Sequence, residues 1–250
     1  MKIGLVSDIH EDYASLCAAS AALEKAQCDR LVCLGDIVGF SFPFQQSVGR
    51  RNADACIAFV RNECVAAVAG NHDLYALRRI PRFTAGFQYG EDWYDLDEST
   101  RRGRAADILW RYEDFDIPQQ LSAGSVEYLA ALPEFHVAHF DELTIFFSHF
   151  RYPDLSGSVV GSLRSDHLHE HFHFVRDQNC DLSFSGHGHP EGFAKAENGR
   201  LEFNGFGAHS IHRGPHWMVC PAVARTGRAS GVMTFDTSTF LLEVIPLHVS

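Results

Sequence analysis

Seven side chains able to hold a metal ion stand directly behind short apolar runs in this chain. Asp8 and His10 follow Ile3-Gly4-Leu5-Val6-Ser7, Asp36 follows Leu31-Val32-Cys33-Leu34-Gly35, and Asn71 follows a run ending Val68-Ala69-Gly70. His149 follows Leu143-Thr144-Ile145-Phe146-Phe147-Ser148, and His187 and His189 follow Leu182-Ser183-Phe184-Ser185-Gly186. Asp36 offers two oxygens and could bridge two cations. Carboxylate and amide oxygen mixed with imidazole suits Mn first, with Fe, Zn, Co, Ni or Mg also served, and the lack of Cys donors argues against a structural zinc. Two divalent ions against two aspartates leave about +2, which a hydroxide and a phosphodiester would neutralise. Paired ions of this kind suit phosphoester hydrolysis better than redox chemistry.

Such ligands need elements that deliver them to one place. Short apolar runs bounded by turn residues read as buried strands, and in sheets of such strands ligands gather at the carboxyl ends. The first third alternates strand and helix, which implies parallel pairing. Asp12 is expected to cap a helix reaching about residue 27, and a second helix is expected at 52–62. Residues 74–120 break the rhythm with clustered charge and many aromatics, and they read as a mainly helical insertion over one edge of the site. Ser122 opens a further helix; strands are expected at 135–140 and 143–148 and a helix at 166–178. After residue 181 the pattern is β-rich, with a hairpin turn at Glu197-Asn198-Gly199-Arg200. The expectation is one α/β domain over 1–250.

With 250 residues, 46% of them hydrophobic, the chain can bury a sizeable core. A net charge of −11 argues against a nucleic-acid polymer as partner, although metal ions could still present positive charge to a small phosphorylated substrate such as a nucleotide. The seven cysteines include no Cys-x-x-Cys pair and read as reduced thiols. No run is long enough to cross a bilayer, and no leader precedes the first strand, so a cytoplasmic location is expected.

The order Asp-x-His, Gly-Asp, Gly-Asn-His-Asp, His, Gly-His-x-His over residues 8–189 resembles the calcineurin-like metallophosphoesterase family. The resemblance implies two mixed β-sheets packed face to face with flanking helices, in four layers. It implies one ion on Asp8, His10, Asp36 and His189, and another on Asp36, Asn71, His149 and His187. It places His72, with Asp73 beside it, in the catalytic role as proton donor to the leaving oxygen, after attack by metal-bound hydroxide. The phosphoprotein phosphatases of the superfamily carry Gly-Asp-x-x-Asp-Arg-Gly, whose second Asp supports the catalytic His. Here Gly35-Asp36-Ile37-Val38-Gly39-Phe40 lacks both that Asp and the Arg, and is similar instead to small bacterial phosphodiesterases and dinucleoside-polyphosphate hydrolases. Cys220-Pro221-Ala222-Val223 stands where those relatives often have Asn-Pro-Gly-Ser. A phosphodiester or nucleotide-type ester is the expected substrate, with a dinucleoside polyphosphate as the second reading. A non-catalytic scaffold, like the retromer subunit that resembles these enzymes, is the rival from another class.

Other residues have bland readings beside sharp ones. Phe40, Phe42 and Phe44 either stack a nucleobase or pack against the insertion, and Phe42 is the substrate-binding candidate among them. Arg164 and Arg213 could each clamp a non-reacting phosphate, a surface charge being the plainer reading. His167, His169, His171 and His173 are expected on a solvated helix surface, and His209, His212 and His216 in a glycine-rich loop as surface histidines.

Overall fold

The computed structural model describes residues 1–41, 49, 51–118, 120–159 and 163–248. Strands β1 (Lys2–Val6), β2 (Arg30–Cys33) and β3 (Cys64–Ala67) alternate with helices α1 (Tyr13–Lys25) and α2 (Ala53–Glu63), and the short helix α3 (Asn71–Ala76) follows β3. Helices α4 (Glu98–Ala105) and α5 (Ala123–Ala131) precede β4 (Phe135–Phe140), β5 (Leu143–Ser148), α6 (Leu168–Asp177) and β6 (Leu182–Ser185). The chain continues through β7 (Phe193–Glu197), β8 (Arg200–Asn204), β9 (Gly207–Ser210), β10 (His216–Val219), β11 (Gly231–Asp236) and β12 (Leu241–Pro246).

These strands make two mixed six-stranded sheets, ordered β3-β2-β1-β11-β12-β9 and β4-β5-β6-β10-β7-β8. β1, β2 and β3 run parallel in the first sheet, as do β5, β6 and β10 in the second. Leu5, Val32 and Phe235 of the first sheet meet Phe147, Phe184 and Met218 of the second in the largest buried cluster. On the outer face of the first sheet, α1, α2 and α5 bury Leu16, Ile57 and Leu129. On the second sheet, Val175 of α6 packs with Phe146 and Leu155. Both sheets are therefore covered on two sides, which explains why β1 and β6 read as continuous apolar runs. Caps set the helix starts: Asp12 accepts a hydrogen bond from Ser15 N at 3.0 Å, and Asn52 one from Ala55 N at 3.0 Å.

Three expectations need correction. Among its described residues the 74–120 segment carries helix beyond α3 only in α4 and in a 3₁₀ turn at Tyr112–Asp114. Its aromatics make a small core of their own, with Trp93, Ala105 and Leu109 packed by Phe87 and Tyr89, so side-chain burial rather than a helical ladder orders the backbone. His171, expected in solvent, is fully buried on α6, where Nδ1 accepts from Tyr152 N at 3.1 Å and Nε2 meets Ser183 Oγ at 3.0 Å. His216 is likewise buried, in β10, and His209 lies in β9 rather than in a loop. Among the described residues, no helix is long and apolar enough to cross a membrane.

Candidate metal centre

All seven expected ligands converge at the carboxyl ends of the parallel strands. Asp8, His10, Asp36, His187 and His189 all hold φ between 42° and 63°, the left-handed region that non-glycine residues avoid. Each such residue costs about 1–2 kcal/mol, and strain of this kind concentrates where a side chain must be aimed. Gly70 is required by close approach, since a Cβ there would stand 2.1 Å from Asp36 Oδ1.

The carboxylates are each held from behind. Asp8 Oδ2 accepts from Ser7 Oγ at 2.6 Å and from His187 N at 3.0 Å, which leaves Oδ1 facing His189 Nε2 at 2.9 Å and His149 Nε2 at 3.7 Å. Asp36 Oδ1 accepts from His72 N at 2.9 Å; Oδ2 lies 3.1 Å from His149 Nε2 and 3.9 Å from His10 Nε2. Asp36 Oδ2 thus stands between two groups that could each hold an ion: Asp8, His10 and His189, and His149 and His187 with Asp36 itself. Asn71 Oδ1 joins the second group, 3.1 Å from His187 Nδ1.

The imidazoles are oriented for cations. His10 Nδ1 donates to the Gly39 carbonyl at 2.8 Å and His149 Nδ1 to the Leu34 carbonyl at 2.7 Å. Carbonyl oxygens only accept, so these contacts place the proton on Nδ1 and turn Nε2 toward the centre, as metal-binding histidines require. His149 Nε2 is buried and has no aligned hydrogen-bond partner. Burial works against charging His149, but the carboxylates of Asp36 and Asp8 outweigh it and push its pKa up to about 10. A cation is wanted at that point, and the residues present fit a divalent metal. Burial pushes His10 down to about 4 and His187 to about 3, keeping both neutral and available as ligands.

His72 sits at the edge of this cluster, its ring 4.9 Å from that of His10. Its Nδ1 lies 2.7 Å from Asp116 Oδ2, with the two side chains 14% and 6% exposed. Asp116 comes from the 74–120 segment and is fixed in turn by Ser41 Oγ, which donates to Oδ1. Burial opposes protonation of His72, but Asp36 and Asp116 together raise it to about 9. Asp116 thus stands beside His72 as a carboxylate that the Gly35-Asp36-Ile37-Val38-Gly39 stretch lacks. Sequence reading missed it because it lies 44 residues beyond His72 in an irregular segment with no motif.

Asp73 is not in the cavity, contrary to its expected catalytic role. Its carboxylate accepts from the backbone N–H groups of Asp36, Ile37, Val38 and Gly70 at 2.8–3.1 Å, which occupies both oxygens and locks the loop carrying Asp36. Glu11 acts similarly on the next residues, accepting from Gly39 N at 3.0 Å and from Arg51 Nε at 2.9 Å.

A cavity of about 800 Å³ opens over His10, Asp36, Asn71, His72, His187 and His189. Trp110, Phe115 and Phe203 add aromatic surface to its wall, and Arg111 and Arg228 add charge. Arg213 is placed elsewhere, over the Phe240 ring at 5.1 Å, and Arg164 is exposed and does not line the cavity. Phe40 is 1% exposed beneath Arg51, so it packs rather than stacking a ligand, while Phe42 and Phe44 lie outside the described residues.

Residues 1–216 match the calcineurin-like phosphoesterase superfamily domain, and the chain belongs to that family. It is 25% identical over 201 residues to an uncharacterised protein of Methanocaldococcus jannaschii, covering 80% of this chain and 66% of that protein. This chain thus spans just under two thirds of the relative's length. Its fold is similar to a metallophosphoesterase from Sphaerobacter thermophilus (TM-score 0.68, 19% identity, 100% of this chain and 89% of that one). It is also similar to a hypothetical protein from Pyrococcus horikoshii (TM-score 0.61, 12% identity, 100% and 88% covered). The two-sheet sandwich with flanking helices is the fold of this family.

Proposed function

We propose that this protein is a dinuclear-metal phosphodiesterase acting on small phosphodiester or nucleotide-type esters. The reading is carried by the inward-turned, buried Nε2 of His149, 3.1 Å from the doubly placed carboxylate of Asp36. Two divalent ions, held by Asp8, His10, Asp36 and His189 and by Asp36, Asn71, His149 and His187, would supply Lewis-acid charge and an acidified water. With two ligand carboxylates such a pair keeps about two positive charges in excess, which a diester and a hydroxide would neutralise.

The chain's own residues do the remaining work. His72 has Nδ1 committed to Asp116, so Nε2 is the nitrogen available to the cavity. With its proton held by the Asp36 and Asp116 carboxylates, the ring donates to the departing oxygen as that oxygen gains charge. Asp116 fixes the ring's tautomer and angle; Asp73 and Glu11 hold the loop that carries Asp36. The size of the cavity and its aromatic wall admit an ester bearing a nucleobase or similar group, which keeps a dinucleoside polyphosphate as the second reading. A scaffold would have no use for the half-buried His72–Asp116 pair. Hydrolysis of bis-p-nitrophenyl phosphate beside p-nitrophenyl phosphate, with Mn²⁺, tests the substrate class. Faster turnover of the diester is expected; a marked preference for the monoester would reject the diesterase.

A further inference from the structure

Glu197, His212 and His216 bring ligand atoms within 4.8 Å of one another at a place the catalytic reading does not use. His216 opens β10 opposite Leu182, the first residue of β6, and Glu197 ends the antiparallel neighbour β7. The proposed catalytic ligands His187 and His189 leave the other end of β6. At about 3.3 Å per residue, roughly 15 Å separates the two clusters along the sheet.

The buried member of the trio is oriented as a ligand. His216 is fully buried, and its Nε2 donates to the His212 carbonyl at 2.9 Å. With the proton on Nε2, the neutral ring presents Nδ1 as a lone pair. That Nδ1 has no hydrogen-bond partner among the described residues. It faces a carboxylate oxygen, Glu197 Oε2, at 3.8 Å, and that oxygen also takes the Lys195 ammonium at 3.3 Å. A buried acceptor without a donor is costly, and a cation removes the cost. His212 completes the set, its Nε2 lying 2.6 Å from Glu197 Oε1. The Lys195 ammonium meets Glu197 at Oε2, at 3.3 Å, while Oε1 takes His212 Nε2 and a long contact of 3.4 Å from Asn198 Nδ2. His212 is exposed, so its ring can open the short contact with Glu197 to the ligand spacing of a tetrahedral ion.

We propose that Glu197, His212 and His216 form a third divalent-cation site, of the two-imidazole and one-carboxylate type that suits Zn²⁺. Its role follows from its place. β9 lies at the edge of the first sheet and β10 inside the second, so residues 211–215 are a crossover between the sheets. An ion held by His212, His216 and Glu197 clips that crossover to β7.

The test is zinc content by atomic absorption on the full chain, stripped with chelator and reloaded with Zn²⁺, for the unsubstituted protein, His212→Ala and Glu197→Gln. The His212 ring is exposed, so its removal leaves the core intact. Both variants should hold one zinc fewer per chain, and Asp36→Asn should keep the zinc that they lose. In the Asp36→Asn background, added Zn²⁺ should raise Tm, and adding His212→Ala should abolish the rise. Equal zinc content in the unsubstituted protein and His212→Ala would overturn the proposal and leave an ordinary His–Glu ion pair. Because content and Tm are read without turnover, this outcome is independent of the diesterase.

Discussion

Asp116→Asn keeps the shape of the residue that grips His72 and removes its charge. The contact is 2.7 Å long between side chains that are 6% and 14% exposed, so solvent screens it little. Hydrogen bonds to a charged partner contribute about 1.5–3 kcal/mol, and an asparagine oxygen can still accept from Nδ1–H at neutral strength. A loss of about 2 kcal/mol in holding the ring aimed at the departing oxygen lowers kcat roughly 30-fold. KM and bound metal should not change, because Asp116 belongs to neither ligand group. A double-mutant cycle separates positioning from structure: in a His72→Ala background Asp116→Asn should cost no further activity. Steady-state kinetics on bis-p-nitrophenyl phosphate reads both numbers. A kcat within twofold of the unsubstituted enzyme, or the same 30-fold loss with and without His72, would refute the role given to Asp116.

Asp36→Asn removes the carboxylate shared by both groups. Since loss of an outer partner alone weakens metal binding about 10–100-fold, loss of this ligand should exceed that, as metal titration of the stripped protein would read. Phe203→Ala trims an exposed ring of the cavity wall; at about 1 kcal/mol of stacking it should raise KM about fivefold for a nucleotide diester and leave a small alkyl diester unaffected. His171 supplies a pH signature. Burial, with Arg151 adding to it, holds its pKa down at about 3, against about 6.5 in the unfolded chain. Below pH 6.5 only the unfolded chain takes up this proton, so the stability due to a neutral His171 is present above pH 6.5 and lost as pH falls toward 3. About 2 kcal/mol should go between pH 7 and pH 5. Urea melts at the two pH values should show a smaller acid loss for His171→Gln, and an equal loss would show that His171 stays neutral in neither state.

The strands carrying the ligands were legible because each is a short apolar run stopped by Ser or Gly, a pattern that burial on both faces dictates. Helix starts were legible through Asp12, Asn52 and Ser122, whose side chains cap the first turn. What escaped depends on partners far away in the chain. β9 is short, half glycine and alanine, and largely exposed, so no hydrophobic pattern marks it. His171 and His216 have the same residue type as their solvent-facing neighbours, and only the sheet packed against them makes them buried. Asp116 is one acid among several in an irregular segment, and its role exists only where that segment folds back over His72. Asp73 shows the reverse case: adjacency to His72 suggested chemistry, yet its side chain turns to the backbone of the Asp36 loop.

The central claim is that two ions seated around Asp36 make this fold a diesterase. Chelator-stripped protein titrated with Mn²⁺ while bis-p-nitrophenyl phosphate cleavage is followed tests it most directly. Without metal there should be no turnover, and the rate should saturate at two Mn²⁺ per chain. Full turnover in the stripped protein, or saturation after a single ion, would contradict it.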